Sequence, residues 1–142
     1  MLFRSGDSVN LASRIEGLTK QYGVTALLGA STAEAGGERF ALVEIDRLRV
    51  KGKSAPETVF ALLGGEERAA SPDFVALRAR IEAVQAAYRA QDWEGALAAI
   101  RAAREAEGPL AEFLDIFERR IHALAADPPG PEWDGVYEAT AK

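Results

Sequence analysis

Residues 40–65, FALVEIDRLRVKGKSAPETVFALLGG, decide how the first half of this 142-residue chain reads. Ala41, Val43 and Ile45 alternate, the period of a strand with one buried face. The alternation then slips, because the next apolar positions, Leu48 and Val50, fall on the other parity. A one-residue slip turns the opposite side of a strand inward, so a bend or bulge is expected near Asp46-Arg47. KGKSAP reads as a polar turn, and ETVFALLGG as a last strand closed by glycines.

Working back towards the N-terminus, ASTAEAGGERF predicts a short helix capped by Ser31 or Thr32 and ending at Gly36-Gly37. VTALLG predicts a short strand before it. In VNLASRIEGLTKQYG, Leu11, Ile15, Leu18 and Tyr22 form an apolar helical stripe with Gly23 as its stop. GDSVNLASRIEG is thus a turn running into an amphipathic helix, whereas MLFRS ahead of it has no structural logic.

Forward of residue 65 the texture changes. EERAASPD, residues 66–73, is a charged connector with Asp73 as the expected N-cap of a helix. Three apolar stripes follow. Phe74, Leu77, Ile81, Val84 and Tyr88 make the first, and Trp93, Ala96, Leu97 and Ile100 the second. Leu110, Phe113, Leu114, Phe117, Ile121 and Leu124 make the third. AQD and EAEGP separate them, and connections that short favour antiparallel neighbours. In the tail, ADPPGPEWDGVYEATAK, proline and glycine exclude a regular helix through most of its length.

Composition narrows the chemistry. A net charge of −5 lacks the clustered basic face of a nucleic-acid binder. With no cysteine and a single histidine, His122, disulfides, thiol chemistry and histidine-rich metal sites are set aside. No apolar run is long enough to span a bilayer and no signal peptide is visible, so this portion reads as cytoplasmic.

Two polar positions stand out, although most polar residues beside an apolar stripe are merely solvated. Asn10 and Arg14 are four apart and share a helix face beside the apolar stripe. An amide and a permanent guanidinium placed that way suit a charge-developing anion. VKGKS superficially matches the end of a phosphate loop, but Arg47 stands where glycine is required and no helix opens after Ser54. Lys51 and Lys53 are then two lysines flanking a glycine at a strand end. His122 reads as a helix-surface or partly packed residue, and the helical stripes read as core.

Taken together, GDSVNLASRIEG and DRLRVKGKSAPETVFAL resemble the C-terminal half of the class III adenylate/guanylate cyclase catalytic domain, over residues 6 to about 64. The resemblance implies an α+β, ferredoxin-like domain with an antiparallel sheet and helices, here partial. It implies conversion of ATP or GTP to the 3′,5′-cyclic nucleotide and pyrophosphate, with two divalent metals, Mg or Mn, at sites shared by two catalytic domains in a homodimer. In that family the residue matching Asn10 orients the ribose, the one matching Arg14 stabilises the transferring phosphoryl group, and the one matching Lys51 contacts the terminal phosphates. Phosphoryl transfer needs mainly positioning and positive charge, which these residue types supply.

The departures from the family pattern are equally specific. Its two metal-binding aspartates lie upstream of the Asn10 helix and have no counterpart here; Asp7 belongs to the turn. Its base-selecting lysine is also upstream, and the partner of that lysine would fall on Phe3. LFRS is the translation of a common sequencing-adapter end, so residues 1–5 are expected to be artefactual. The fragment alone is expected to bind no metal, to be inactive, and to leave an unpaired sheet edge.

AYRAQDWEGALAAIRAA resembles the turn and second helix of a tetratricopeptide repeat, although a solenoid needs about three repeats. The WDGV of the tail, Trp133-Asp134-Gly135-Val136, is similar to the ends of some membrane-anchored bacterial cyclases. The expected organisation is a cyclase half at 6–65, a linker at 66–72, tetratricopeptide-like helices at 73–125 forming a hairpin or three-helix segment, and a tail at 126–142. The competing reading is a cyclase remnant serving as a dimerisation or interaction module, its helices binding a protein partner.

Overall fold

The computed structural model describes residues 22, 24, 26–36, 39–50, 56–106 and 110–139. The fold is α+β, as the sequence predicts. Strand β1 (Leu27–Gly29) leads into helix α1 (Ala30–Gly36), then β2 (Ala41–Val50) and β3 (Glu57–Gly64). One helical turn, α2 (Glu66–Ala69), occupies the connector. Helices α3 (Pro72–Arg89), α4 (Trp93–Arg104) and α5 (Ala111–Ala126) follow, and β4 (Tyr137–Ala139) ends the described chain. The sheet order is β1-β3-β2-β4, with β1 and β2 antiparallel to β3 and β4 parallel to β2.

The strand slip is present. Glu44 pairs with Phe60 and Asp46 with Val59, which leaves Ile45 as the extra residue of a bulge. Ala41, Val43 and Ile45 are buried before it, and Asp46 and Leu48 after it, so two successive side chains at the bulge are both inside. A bulge also frees backbone carbonyls, and Gln85 of α3 satisfies them. Its Nε2 donates to the Ile45 carbonyl at 2.7 Å and to that of Glu44 at 3.2 Å.

Two expected caps are corrected. Helix α3 begins at Pro72 and is capped by Ser71, whose Oγ accepts from the Phe74 N–H at 3.2 Å. Pro72 fits the first helical position because its missing N–H would be unpaired there anyway, so Asp73 sits inside the first turn. Ser31 and Thr32 likewise lie within α1. The Ala30 N–H that opens this helix donates instead to Glu57 Oε2 of β3 at 3.3 Å.

A single hydrophobic core runs through sheet and helices. It joins Leu27, Val43, Ile45 and Val59 to Phe74, Ile81 and Tyr88 of α3, Ile100 of α4, and Phe113, Phe117 and Ile121 of α5. Each large side chain buried this way contributes roughly 1.5–3 kcal/mol. His122 is exposed, as expected.

Among the described residues β1 and β4 are the outer strands of the sheet, and β2 is covered on both sides. Leu48, Arg49 and Val50 pair with Tyr137, Glu138 and Ala139 of the tail, and Gln85 covers the strand at the bulge. The tail reaches β2 through WDGV. Asp134 Oδ1 accepts from the Val136 N–H at 3.1 Å, and Trp133 Nε1 donates to the Val136 carbonyl at 3.3 Å. Gly135 has φ +79, and a Cβ there would come within 2.9 Å of Arg89 Cγ, so glycine suits both the turn and the close approach. The Trp133 ring seats edge-on against Tyr88, with centroids 5.1 Å apart.

Candidate functional site

Asn10, Arg14 and Lys51 lie outside the described residues. Described near them in the chain are Tyr22, the last residue of the stripe that begins at Leu11, and β2, whose last residue, Val50, precedes Lys51. These two places are tied together by a buried polar cluster that the sequence reading missed.

At the centre of the cluster is Asp46. The bulge at Ile45 turns this carboxylate into the core, where it is 1% exposed. An isolated carboxylate there would cost several kcal/mol, so every acceptor site must be filled. Asp46 Oδ2 accepts the Tyr22 hydroxyl at 2.5 Å. Oδ1 accepts the Arg47 backbone N–H at 2.8 Å. Arg120 Nη1, from α5, donates to Oδ2 at 2.9 Å and to Oδ1 at 3.1 Å. The Tyr88 hydroxyl stands 3.4 Å from the same nitrogen.

The Arg120 guanidinium is held on its faces as well. Its central carbon lies 3.7 Å from the ring centroid of Tyr137 in β4 and 4.6 Å from that of Phe117 in α5. Helix α5, the tail strand, β2 and Tyr22 therefore converge on one ion pair. Burial alone would lower the Arg120 guanidinium. The charges and hydrogen bonds of Asp46, Tyr88 and Tyr22 together outweigh this and raise it well above its ordinary value. Tyr22 is pushed far up, first by burial and then by the adjacent carboxylate, so its hydroxyl stays a donor. Burial also raises Tyr88.

A sequence signal for Asp46 existed: after the parity slip it shares its face with Leu48 and Val50. Arg120 sits three residues after Phe117 and one before Ile121, inside the third stripe, in ERRIHAL. Nothing local says that the two are partners, since 74 residues separate them.

Among the described residues, no group of three or more His, Cys, Asp or Glu could hold a metal ion. The described residues thus offer no set of ligands for the divalent metals that the resemblance implies. Among the described residues, no helix is long and apolar enough to cross a membrane.

Comparison with known proteins finds partial relatives. The adenylate cyclase of Anabaena cylindrica is 47% identical over 58 residues, covering 39% of this chain and 12% of that protein. The terminal-differentiation-specific adenylate cyclase of Dictyostelium discoideum is 41% identical over 64 residues, covering 43% of this chain and 3% of that protein. The chain thus spans only a small part of these relatives' length. No family model matches the chain, and no solved structure matches it. The shared stretches support a relationship to adenylate cyclases over part of the chain.

Proposed function

We propose that this chain is the C-terminal part of a nucleotidyl cyclase that makes the 3′,5′-cyclic nucleotide and pyrophosphate from ATP, or from GTP, for signal transduction. The observation that carries the reading is the joint presence of Asn10, Arg14 and Lys51 in a chain partly similar to two adenylate cyclases. In this reading Asn10 orients the ribose, Arg14 neutralises charge developing on the transferring phosphoryl group, and Lys51 binds the terminal phosphates. The divalent metals and the second catalytic domain of a homodimer complete the site from outside the described residues. Helices α3, α4 and α5, over residues 73–125, take the role of a tetratricopeptide-like cap.

The test is cyclic nucleotide formation, with Mg²⁺ or Mn²⁺ and ATP or GTP, by the protein expressed from its complete natural coding sequence. Arg14→Ala should lower kcat roughly 100- to 1,000-fold with an unchanged circular dichroism spectrum. Lys51→Ala should act mainly on KM. Turnover unaffected by Arg14→Ala would remove that residue from the site. A wild-type protein inactive on both nucleotides would leave the interaction-module reading in its place.

A further inference from the structure

We infer that residues 133–139 form a strap that opens and closes separately from the rest of the fold, and that its closing seals the buried Asp46–Arg120 pair from water.

The seal is read from what surrounds the guanidinium. A charge stays in a core only where its surroundings replace the water it has lost. Asp46 meets Arg120 at 2.9 and 3.1 Å. Two rings lie over the guanidinium carbon, Phe117 of the same helix at 4.6 Å and Tyr137 of β4 at 3.7 Å. Tyr137 is 39% exposed, whereas the Arg120 side chain is 7% exposed. An aromatic ring of the tail thus stands between the buried charge and solvent.

The attachments of that ring are slight beside those of the core. Strand β4 has three residues, lies at the outer edge of the sheet, and pairs in parallel with β2, the less stable ladder per residue. Arg49 Nη2 donates to Asp134 Oδ2 and Arg47 Nη1 to the Asp134 carbonyl, both at 3.4 Å and both exposed, where water screens them. The firmer holds are apolar. Trp133 packs on Tyr88 and Trp93, with centroids 5.1 and 5.9 Å apart, and Val136 is buried. Ahead of the strap runs DPPGP, residues 127–131, whose three prolines have no N–H to tie it down. Gln91 Nε2 pins the Gly130 carbonyl at 2.6 Å, which places the hinge directly after it. A segment with few buried groups and exposed backbone bonds opens at a lower free energy than the core beneath it. Whatever bound the released strap would draw it open by mass action, so the tail is a handle on β2 and on the pair behind it.

The test is amide hydrogen exchange on the full chain, read residue by residue by NMR. The Val136 N–H, bonded to Asp134 Oδ1 at 3.1 Å, reports on the strap. The Arg47 N–H, bonded to Asp46 Oδ1 at 2.8 Å, reports on the sealed carboxylate. Ile100, buried in α4, reports on global unfolding. Val136 and Arg47 should share one protection factor, roughly tenfold or more below that of Ile100 and little changed by low urea. Ile81→Val thins the core under α3, so it should lower protection at Ile100 and leave Val136 and Arg47 unchanged. Tyr137→Ala should lower protection at Val136 and Arg47 about fivefold. A Val136 amide as protected as that of Ile100 would make the tail part of the common core and overturn the strap. An Arg47 amide as slow as that of Ile100, beside a fast Val136, would mean that the strap seals nothing and would overturn the inference equally.

Discussion

Two arginines of the helical segment make opposite use of the same chemistry. Arg120 of α5 is 7% exposed in its side chain and pairs with Asp46, 1% exposed, across the core. Arg104 of α4 pairs with Asp115 at 2.9 Å and Glu118 at 2.6 Å, where the partners are 51% and 43% exposed. By distance alone the outer cluster is the tighter of the two. Solvent reverses the ranking, because water screens the outer charges and would rehydrate either partner if the pair broke. No such refuge exists for Asp46. The depth of a pair, and not its length, decides how much of the fold depends on it.

The largest effect should come from removing one member of the inner pair. Arg120→Met alone leaves the Asp46 charge buried without its counter-ion, and should lower the unfolding free energy by about 3–5 kcal/mol, read from a denaturant midpoint. Adding Asp46→Leu should recover most of that loss. A single variant as damaging as the double would mean that lost packing, and not the stranded charge, sets the cost.

High pH should sharpen the contrast next. The proton of Tyr22 is held in the folded state well above its ordinary value of 10.0. Below that pH both states keep the proton and the stabilisation is whole. Above it the unfolded chain releases the proton while the folded one retains it, so stability falls as pH rises, by about 1.4 kcal/mol per pH unit. Tyr88 is raised in the same direction. Tyr22→Phe should therefore cost about 1–2 kcal/mol at neutral pH and visibly flatten the alkaline fall in melting temperature. An unchanged slope would take the Tyr22 hydroxyl out of the core.

Smaller still is the ring that covers Arg120. Tyr137→Ala should cost about 1 kcal/mol, since the ion pair survives and only the stacking is lost. Arg104→Ala closes the series at about 0–1 kcal/mol, and what effect it has should fade in high salt. An Arg104 effect as large as that of Arg120 would break the comparison outright.

Much of the architecture was set by the amino-acid sequence alone. The 2-residue period placed β2 and β3, the i, i+3 and i+4 stripes placed α3, α4 and α5, and the parity slip placed the bulge within one residue of its position. These are properties of neighbouring residues, and a period needs no partner to be read. The candidate residues Asn10, Arg14 and Lys51 came instead from the resemblance of two short motifs to a known family, and they lie outside the described residues. Two things were decided only in three dimensions. A three-residue strand emerged from a proline- and glycine-rich tail, because β2 offered an open edge and WDGV delivered the chain to it. Asp46 found Arg120, because a buried carboxylate must meet a cation and packing alone determines which one is within reach. Periodicity says which way a side chain faces; what it faces is settled by the elements that close over it.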